Sequence, residues 1–122
     1  MSLVPFVILA ITLVALYVTF RRSNQASLEH ACEYLRRGAL LVDVRSPSEF
    51  RAGHLPRAIN LPLNELESLL PRHTRDKQQV ILLHCQSGMR SGLATKRLKS
   101  QGYVNTFNLG SYSRASRLVR EC

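Results

Sequence analysis

The sequence predicts an α/β domain with a central parallel sheet, preceded by one apolar N-terminal helix. The first observation is that residues 3–20 carry no charged side chain. The second is a series of short apolar runs of strand length, at residues 39–44, 58–61, 80–84 and 104–109. The third is that helical patterns separate these runs, as in a parallel sheet covered on both faces. With 122 residues there is room for one domain, which we place at residues 23–122, after an N-terminal segment of residues 1–22.

Residues 3–20 are predicted to form a transmembrane anchor. As a helix they would extend about 27 Å, close to the ~30 Å of a bilayer core. Arg21 and Arg22 end the apolar run abruptly. A cleaved signal peptide is one alternative, but it requires basic residues before the apolar run and small residues at a cleavage site. A buried helix of a globular protein is the other alternative.

The residues that follow the anchor predict its orientation. Because Arg21 and Arg22 flank its carboxyl end, we expect a single-pass protein of a bacterial inner membrane, with the C-terminal domain facing the cytoplasm. The three cysteines lack the spacing of a disulfide framework, which agrees with a reducing compartment. We expect Cys32 to lie in the core and Cys122 to lie in a mobile tail.

The net charge of +9 lies entirely after the anchor and makes the domain strongly basic. Such a surface attracts anionic lipid headgroups and small anions. The basic residues are scattered and are not interleaved with aromatic residues, so the pattern does not indicate a nucleic-acid-binding protein.

A short polar linker, residues 21–26, follows the apolar run. Ser27 is a suitable N-cap for a helix that runs to Arg37 and ends at Gly38. The continuous apolar run 39–44 is typical of a strand buried on both faces. The later elements follow in order: a short helix that Ser46-Pro47-Ser48-Glu49 begins, a turn at 53–56, strand 58–61, helix 64–70, a charged loop 72–79, strand 80–84, helix 91–101, strand 104–109 and helix 113–120.

The sequence Cys85-Gln86-Ser87-Gly88-Met89-Arg90 joins the third strand to the next helix. The N–H groups of such a turn and the helix N-terminus favour the thiolate, which is the reactive form of cysteine. Arg90 adds a fixed positive charge that can hold an anion. Asp43 also ends a strand, and ligands bind parallel sheets at the carboxyl ends of their strands. Asp43 and Cys85 are therefore expected to share one crevice.

Five ordered segments resemble the rhodanese (sulfurtransferase) domain: Leu41-Val42-Asp43-Val44-Arg45, Glu49-Phe50, Gly53-His54-Leu55-Pro56, Ala58-Ile59-Asn60-Leu61-Pro62 and Cys85-x-x-Gly88-x-Arg90-Ser91. The match extends from residue 39 to residue 110. It implies a three-layer α/β/α fold and a cysteine that carries sulfur as a persulfide. The sequence departs from the family after the last strand, where rhodaneses commonly have Gly-Gly and a nearby tryptophan. Here Gly110-Ser111-Tyr112 follows, and the chain has no tryptophan.

The resemblance implies that Cys85 takes the outer sulfur of a small anionic donor such as thiosulfate and passes it to cyanide or a thiol. Arg90, with Ser91, would hold the sulfonate oxygens of the donor. No spacing indicates a metal site, and no cofactor is expected. The substrate-binding residues would be those whose N–H groups surround the persulfide: Gln86, Ser87, Gly88, Met89, Arg90 and Ser91.

Four residues near the loop are assigned supporting roles: Asp43, Arg45, Glu49 and His54. Arg45 and Glu49 are four positions apart and are expected to pair at the start of a helix. Asp43 either orients the loop or accepts turn amides, and His54 is expected to form a structural hydrogen bond in its turn. His84 should point away from Cys85, because side chains alternate along a strand.

The length of the loop favours sulfur transfer. Four residues separate Cys85 from Arg90, whereas the related phosphatases and arsenate reductases have five. The alternative function is a persulfide carrier, sulfur sensor or partner-docking module without turnover. An inactive scaffold is disfavoured, because Cys85, Gly88 and Arg90 are all present.

Overall fold

The computed structural model of the protein describes residues 2–120 and 122, apart from the side chains of residues 21–29. Two 3-10 turns, Leu63–Glu65 and Leu70–Arg72, flank the fourth helix. The helices and strands in this part of the chain are, in order, α1 (Val4–Glu29), α2 (Ala31–Arg36), β1 (Leu40–Asp43), α3 (Pro47–Ala52), β2 (Ala58–Asn60), α4 (Leu66–Leu69), β3 (Ile81–His84), α5 (Met89–Ser100), β4 (Thr106–Gly110) and α6 (Tyr112–Arg120).

The four strands form one sheet in the order β2-β1-β3-β4, and every neighbouring pair is parallel. Leu41 of β1 pairs with Ala58 on one side and with Leu82 on the other. The central strands β1 and β3 are almost entirely buried, which explains their continuous apolar sequence. The predicted central parallel sheet is therefore confirmed.

Side chains that alternate along the strands enter two separate hydrophobic clusters. Val42 and Leu83 pack with residues of α4 and α5 on one face of the sheet. Leu41 and Leu82 pack with residues of α2 and α6 on the other face. Because neighbouring strand residues point to opposite faces, one short apolar run supplies both clusters, and the domain has three layers.

Two helix starts follow directly from the local sequence. At α3, the N–H of Glu49 donates to Ser46 Oγ (3.2 Å) and the N–H of Ser46 donates to Glu49 Oε1 (3.1 Å), with Pro47 at the first helical position. This is a reciprocal capping box, and it confirms the predicted start. At α5, Gly88 precedes the helix with φ = 95°, a left-handed conformation that favours glycine.

The N-terminal helix is longer than the sequence predicts. The backbone of α1 continues through residues 21–26, which were expected to form a linker, and α2 begins at Ala31 rather than at Ser27. No glycine or proline interrupts residues 21–29, so nothing local ends the first helix there. The proposed cap at Ser27 falls among the side chains outside the described part of the chain.

The large apolar side chains of residues 3–20 have exposures between 39% at Val18 and 75% at Leu3. Among the described residues, no helix is both long and apolar enough to cross a membrane. The transmembrane anchor that the sequence predicts is therefore not confirmed.

Candidate functional site

Cys85 lies at the carboxyl end of β3 and is fully buried. Its N–H donates to the carbonyl of Gly110 (3.2 Å), and the carbonyl of Gln86 accepts from the N–H of Tyr112 (3.2 Å). The loop that follows β3 is therefore held by the end of β4 and the start of α6. Backbone hydrogen bonds alone therefore hold the backbone of Cys85 and Gln86 in place.

Three hydrogen-bond donors converge on the sulfur. The N–H of Gly88 lies 3.0 Å from Cys85 Sγ, and the N–H and hydroxyl of Ser91 each lie 3.4 Å from it. Burial opposes ionisation, but hydrogen bonds from the Ser91 hydroxyl and from the N–H groups of Ser91, Gly88 and Ser87 leave the pKa of the Cys85 thiol below its ordinary value. The geometry therefore favours a thiolate nucleophile.

Gly88 allows the loop to approach β4 closely. A Cβ at this position would lie 3.3 Å from the backbone of Gly110. The Gly88 carbonyl also accepts from the Ser91 hydroxyl (3.2 Å) and from Asn108 Nδ2 (3.3 Å). By contrast, Met89 is 81% exposed, so the side chain after Gly88 takes no part in holding the sulfur.

Arg45 pairs with Asp43, and the expected pair of Arg45 with Glu49 is wrong. Arg45 Nη2 donates to Asp43 Oδ2 (2.7 Å), and Nε lies 3.0 Å from both carboxylate oxygens. Both side chains are buried. Arg45 also donates to the carbonyl of Gly53 (2.7 Å) and to Gln86 Oε1 (3.4 Å). The chain turns after β1, so Arg45 folds back on Asp43 and links the strand end to both neighbouring loops.

Glu49 pairs with Arg90 across 41 residues of sequence. Arg90 Nη1 donates to Glu49 Oε1 (2.7 Å) and Nη2 donates to Oε2 (3.0 Å). These hydrogen bonds, with that from the Ser46 N–H, lower the pKa of Glu49 to about 2. Arg90 was expected to hold the sulfonate oxygens of a donor with Ser91. Both terminal nitrogens of Arg90 donate to Glu49, and the Ser91 hydroxyl lies 3.4 Å from Cys85 Sγ. That these two residues hold the donor stays a prediction.

Neither His54 nor His84 directs its ring at Cys85 Sγ. His54 is exposed, its Nδ1 lies 2.9 Å from the Phe50 carbonyl, and its ring stacks on Phe50 with centroids 3.8 Å apart. His84 faces the side of the sheet opposite to Cys85, with its ring edge-on to Tyr112. Burial lowers the pKa of His84, and its Nε2 has no hydrogen-bond partner among the described residues. Neither ring is placed to move a proton at Cys85.

Residues that the sequence interpretation missed complete the site. Asn60 Nδ2 donates to the carbonyls of Asp43 and Arg45, both at 3.0 Å. The ring of Tyr112 lies 4.6 Å from the guanidinium carbon of Arg45. Asn60 ends β2 and Tyr112 follows β4. Because sites in parallel sheets lie at the carboxyl ends of the strands, the argument that singled out Asp43 and Cys85 also applies to Asn60 and Tyr112.

The remaining cysteines are bonded to each other. Cys32 and Cys122 form a disulfide with their Cα atoms 5.3 Å apart. Cys32 is half-buried and belongs to neither hydrophobic cluster, so its expected core position is wrong. The bond to Cys32 also ties Cys122 to α2, so the expected mobile tail is wrong. Contacts between α2 and α6 bring the two cysteines together, and Cys85 is the free cysteine of the described residues.

Known proteins are similar to this chain in sequence and in fold. A family model described as a rhodanese-like domain matches residues 27–116. The chain is 35% identical over 107 residues to the uncharacterised protein YqhL of Bacillus subtilis (strain 168), which covers 88% of this chain and 83% of YqhL. It is 33% identical over 69 residues to thiosulfate sulfurtransferase PspE of Escherichia coli (strain K12), which covers 57% of this chain and 66% of PspE. The solved structure of a rhodanese with anions from E. coli is similar with a TM-score of 0.60 at 30% identity, over 63% of this chain and 91% of that chain.

Proposed function

Because the chain belongs to the rhodanese-like domain family, we propose that it is a sulfurtransferase that carries sulfane sulfur as a persulfide on Cys85. The observation that carries the proposal is the convergence of three donors on Cys85 Sγ. The same donors that stabilise the thiolate can stabilise the negative charge of a persulfide. The similarity to thiosulfate sulfurtransferase PspE supports thiosulfate as one donor.

The reaction proceeds by two displacements at sulfur. The Cys85 thiolate attacks the outer sulfur of thiosulfate, the S–S bond of the donor breaks, and sulfite leaves with the bonding electron pair. Cyanide or a thiolate then attacks the outer sulfur of the persulfide and regenerates the Cys85 thiolate. No proton transfer to Cys85 is needed, which agrees with a His54 ring that stacks on Phe50 and a His84 ring on the face of the sheet opposite to Cys85.

Two measurements on the full chain test this function. Intact-mass analysis after thiosulfate treatment should show the gain of one sulfur atom, and Cys85→Ser should abolish it. Addition of cyanide should then release thiocyanate with multiple turnovers. Sulfur gain without turnover would indicate a persulfide carrier or sensor, and absence of both would contradict the proposal.

We also propose that residues 3–20 attach the protein to a membrane, with the C-terminal domain on the cytoplasmic side of a bacterial inner membrane. The support is the uncharged sequence of residues 3–20, the exposure of its apolar side chains and the positive pair Arg21 and Arg22 that follows. The disulfide between Cys32 and Cys122 is the opposing observation, because such bonds persist mainly in oxidising compartments.

Membrane fractionation tests the attachment, and thiol labelling tests the cytoplasmic orientation of the domain. A cytoplasmic domain is expected to remain in the membrane fraction and to yield Cys32 and Cys122 as thiols when cells are quenched with an alkylating reagent. Recovery in the soluble fraction would contradict the attachment. Recovery of the intact disulfide from the membrane fraction would contradict the orientation.

A further inference from the structure

A cavity of about 430 Å³ lies on the face of the sheet that carries α2 and α6. Its apolar walls include Leu35 and Val119, and Cys85 is not among the described residues that line it. Cys122 lines the cavity and is exposed, whereas Cys32, its partner in the disulfide, is half-buried. A molecule that enters the cavity therefore meets the disulfide at Cys122.

Two guanidinium groups, those of Arg57 and Arg120, line the same cavity. Arg120 Nη2 donates to the hydroxyl of Ser116, a buried residue that also lines the cavity (3.0 Å). In the described part of the chain, neither arginine pairs with an acidic side chain, and no acidic side chain lines the cavity. Even with the carboxylate of Cys122, the last residue of the sequence, these groups carry a net positive charge. The cavity is therefore complementary to an anion.

Arg57 occupies a backbone position that favours glycine. The N–H of Ala58 donates to the carbonyl of Leu55 (3.1 Å), which closes a turn with Pro56 and Arg57 at its centre. Arg57 has φ = 68°, and it is the one non-glycine residue with a positive φ in the described part of the chain. Turns with a positive φ at this position favour glycine, so an arginine there costs conformational free energy. Strained residues of this kind cluster at functional sites.

We propose that this cavity binds a small organic thiol that carries a negative charge, and that the bound thiol exchanges with the disulfide at Cys122. Arg57 and Arg120 attract the anionic group, and the apolar walls contact the organic body. The exchange does not pass through Cys85, so it is an activity separate from the proposed sulfur transfer.

The exchange consists of two displacements at sulfur. The ligand thiolate attacks Cys122 Sγ, the bond between Cys122 and Cys32 breaks, and its electron pair leaves on Cys32. Cys32 then takes a proton from water, and its sulfur lies 3.3 Å from the carbonyl oxygen of Leu118, which can accept from the new thiol. A second ligand thiolate attacks the ligand sulfur of the mixed disulfide and releases Cys122 as a thiolate. Two ligand thiols are thus oxidised to their disulfide while one protein disulfide is reduced.

The test compares two small thiols on the oxidised full chain, the anion 2-mercaptoethanesulfonate and the neutral 2-mercaptoethanol. The rate of disulfide reduction per thiolate is followed by alkylation with iodoacetamide and mass analysis. In Arg57→Gly the anion-to-neutral ratio of these rates should fall about five-fold, the effect of one unit charge at about 4 Å in water. Arg120→Gln should also lower the ratio, and both effects should shrink as ionic strength increases. An unchanged ratio in the variant that lacks both arginines would overturn the proposal.

Three controls accompany this comparison. Arg57→Gly should unfold in urea no earlier than the wild type, because the turn favours glycine. Arg75→Gln removes the same charge from an exposed residue that does not line the cavity, so it should keep the wild-type ratio. An equal fall in Arg75→Gln would assign the effect to the net charge of the protein and contradict the site. Cys85→Ser should also keep the wild-type ratio, and a lower ratio there would contradict an exchange that is independent of Cys85.

The position of the mixed disulfide provides a second readout. When the reaction is stopped early with excess iodoacetamide, peptide mapping should find the ligand on Cys122 and the alkyl group on Cys32. Ligand found on Cys32 instead would overturn attack from the cavity. In addition, 1-propanesulfonate, which has no thiol, should slow reduction of the wild type by 2-mercaptoethanol to a plateau. Absence of this effect would show that the cavity holds no such anion and would contradict the proposal.

Discussion

Cys85 owes its activation to the backbone and to one hydroxyl. Of the groups that lower its pKa, only the Ser91 hydroxyl belongs to a side chain. Ser91 is buried and also reaches the carbonyls of Gly88 and Gly110. Its orientation is therefore fixed, and it is the side chain through which substitution can change the acidity of the nucleophile.

Ser91→Ala is expected to raise the pKa of Cys85, because the thiolate loses a hydrogen bond that the thiol uses less well. The measurement is the rate of Cys85 alkylation as a function of pH. The midpoint should move upward and the rate at neutral pH should fall. Ser87→Ala is the matched control, since Ser87 contributes through its N–H; an equal shift in both variants would contradict the role of the Ser91 hydroxyl.

The buried and exposed ion pairs should differ in their effect on stability. Asp43→Asn leaves the buried Arg45 charge without its partner, which should lower the unfolding free energy by about 3 to 5 kcal/mol. Glu67→Gln removes the partner of Arg97 in a pair whose side chains are 30% and 36% exposed, and should cost less than about 1 kcal/mol. Urea unfolding measures the free-energy loss of both variants. Similar losses would contradict the prediction that the buried pair contributes more than the exposed pair.

At the scale of elements, the junction between β3 and α5 depends on Gly88. Gly88→Ala combines an unfavourable φ with a 3.3 Å contact to the backbone of Gly110. Gly38 has nearly the same φ, 97°, but a Cβ added there would meet no atom within 4 Å. Gly38→Ala should therefore cost about 1 to 2 kcal/mol, and Gly88→Ala should cost more and also slow Cys85 alkylation. Equal losses of unfolding free energy in Gly88→Ala and Gly38→Ala, measured by urea unfolding, would mean that the contact with Gly110 adds no cost.

The pair that joins α3 to α5 should appear in the pH dependence of stability. The folded pKa of Glu49, about 2, lies below its ordinary 4.5, so its stabilisation is present above about pH 4.5 and is lost as the pH falls toward 2. Between these values the wild type should lose more unfolding free energy than Glu49→Gln, by up to about 1 kcal/mol because the pair is partly exposed. Urea midpoints at both pH values measure this, and parallel losses would contradict it.

The sequence predicted the strands and the position of Cys85 because these depend on local patterns. Apolar runs, a Ser-Pro start and the end of a strand are all visible within a few residues. The partners of the charged side chains are not local: Glu49 and Arg90 are 41 residues apart, and the sheet brings them together. Arg45 illustrates the resulting error, since helical spacing suggested Glu49 while the chain turn after β1 directs Arg45 to Asp43.

At the scale of the whole molecule, the disulfide between Cys32 and Cys122 connects residues 90 positions apart. A bond across such a long segment should stabilise the fold by about 4 to 5 kcal/mol, because it restricts the unfolded chain. The urea midpoint should therefore fall when a reductant is added, and Cys122→Ser should show the lower midpoint without reductant. Cys85→Ser should respond to reductant like the wild type; a midpoint independent of reductant in the wild type would contradict this prediction.

The same bond makes residues 32–122 a closed covalent ring that contains the whole sheet and the loop around Cys85. A protease that cuts one peptide bond within this ring, for example in the mostly exposed segment 72–79, opens the ring but releases no fragment. The nicked protein would keep its mass, apart from one added water, until the disulfide is reduced. Resistance to fragmentation is thus a property of the chain's connectivity, separate from the free energy of its fold.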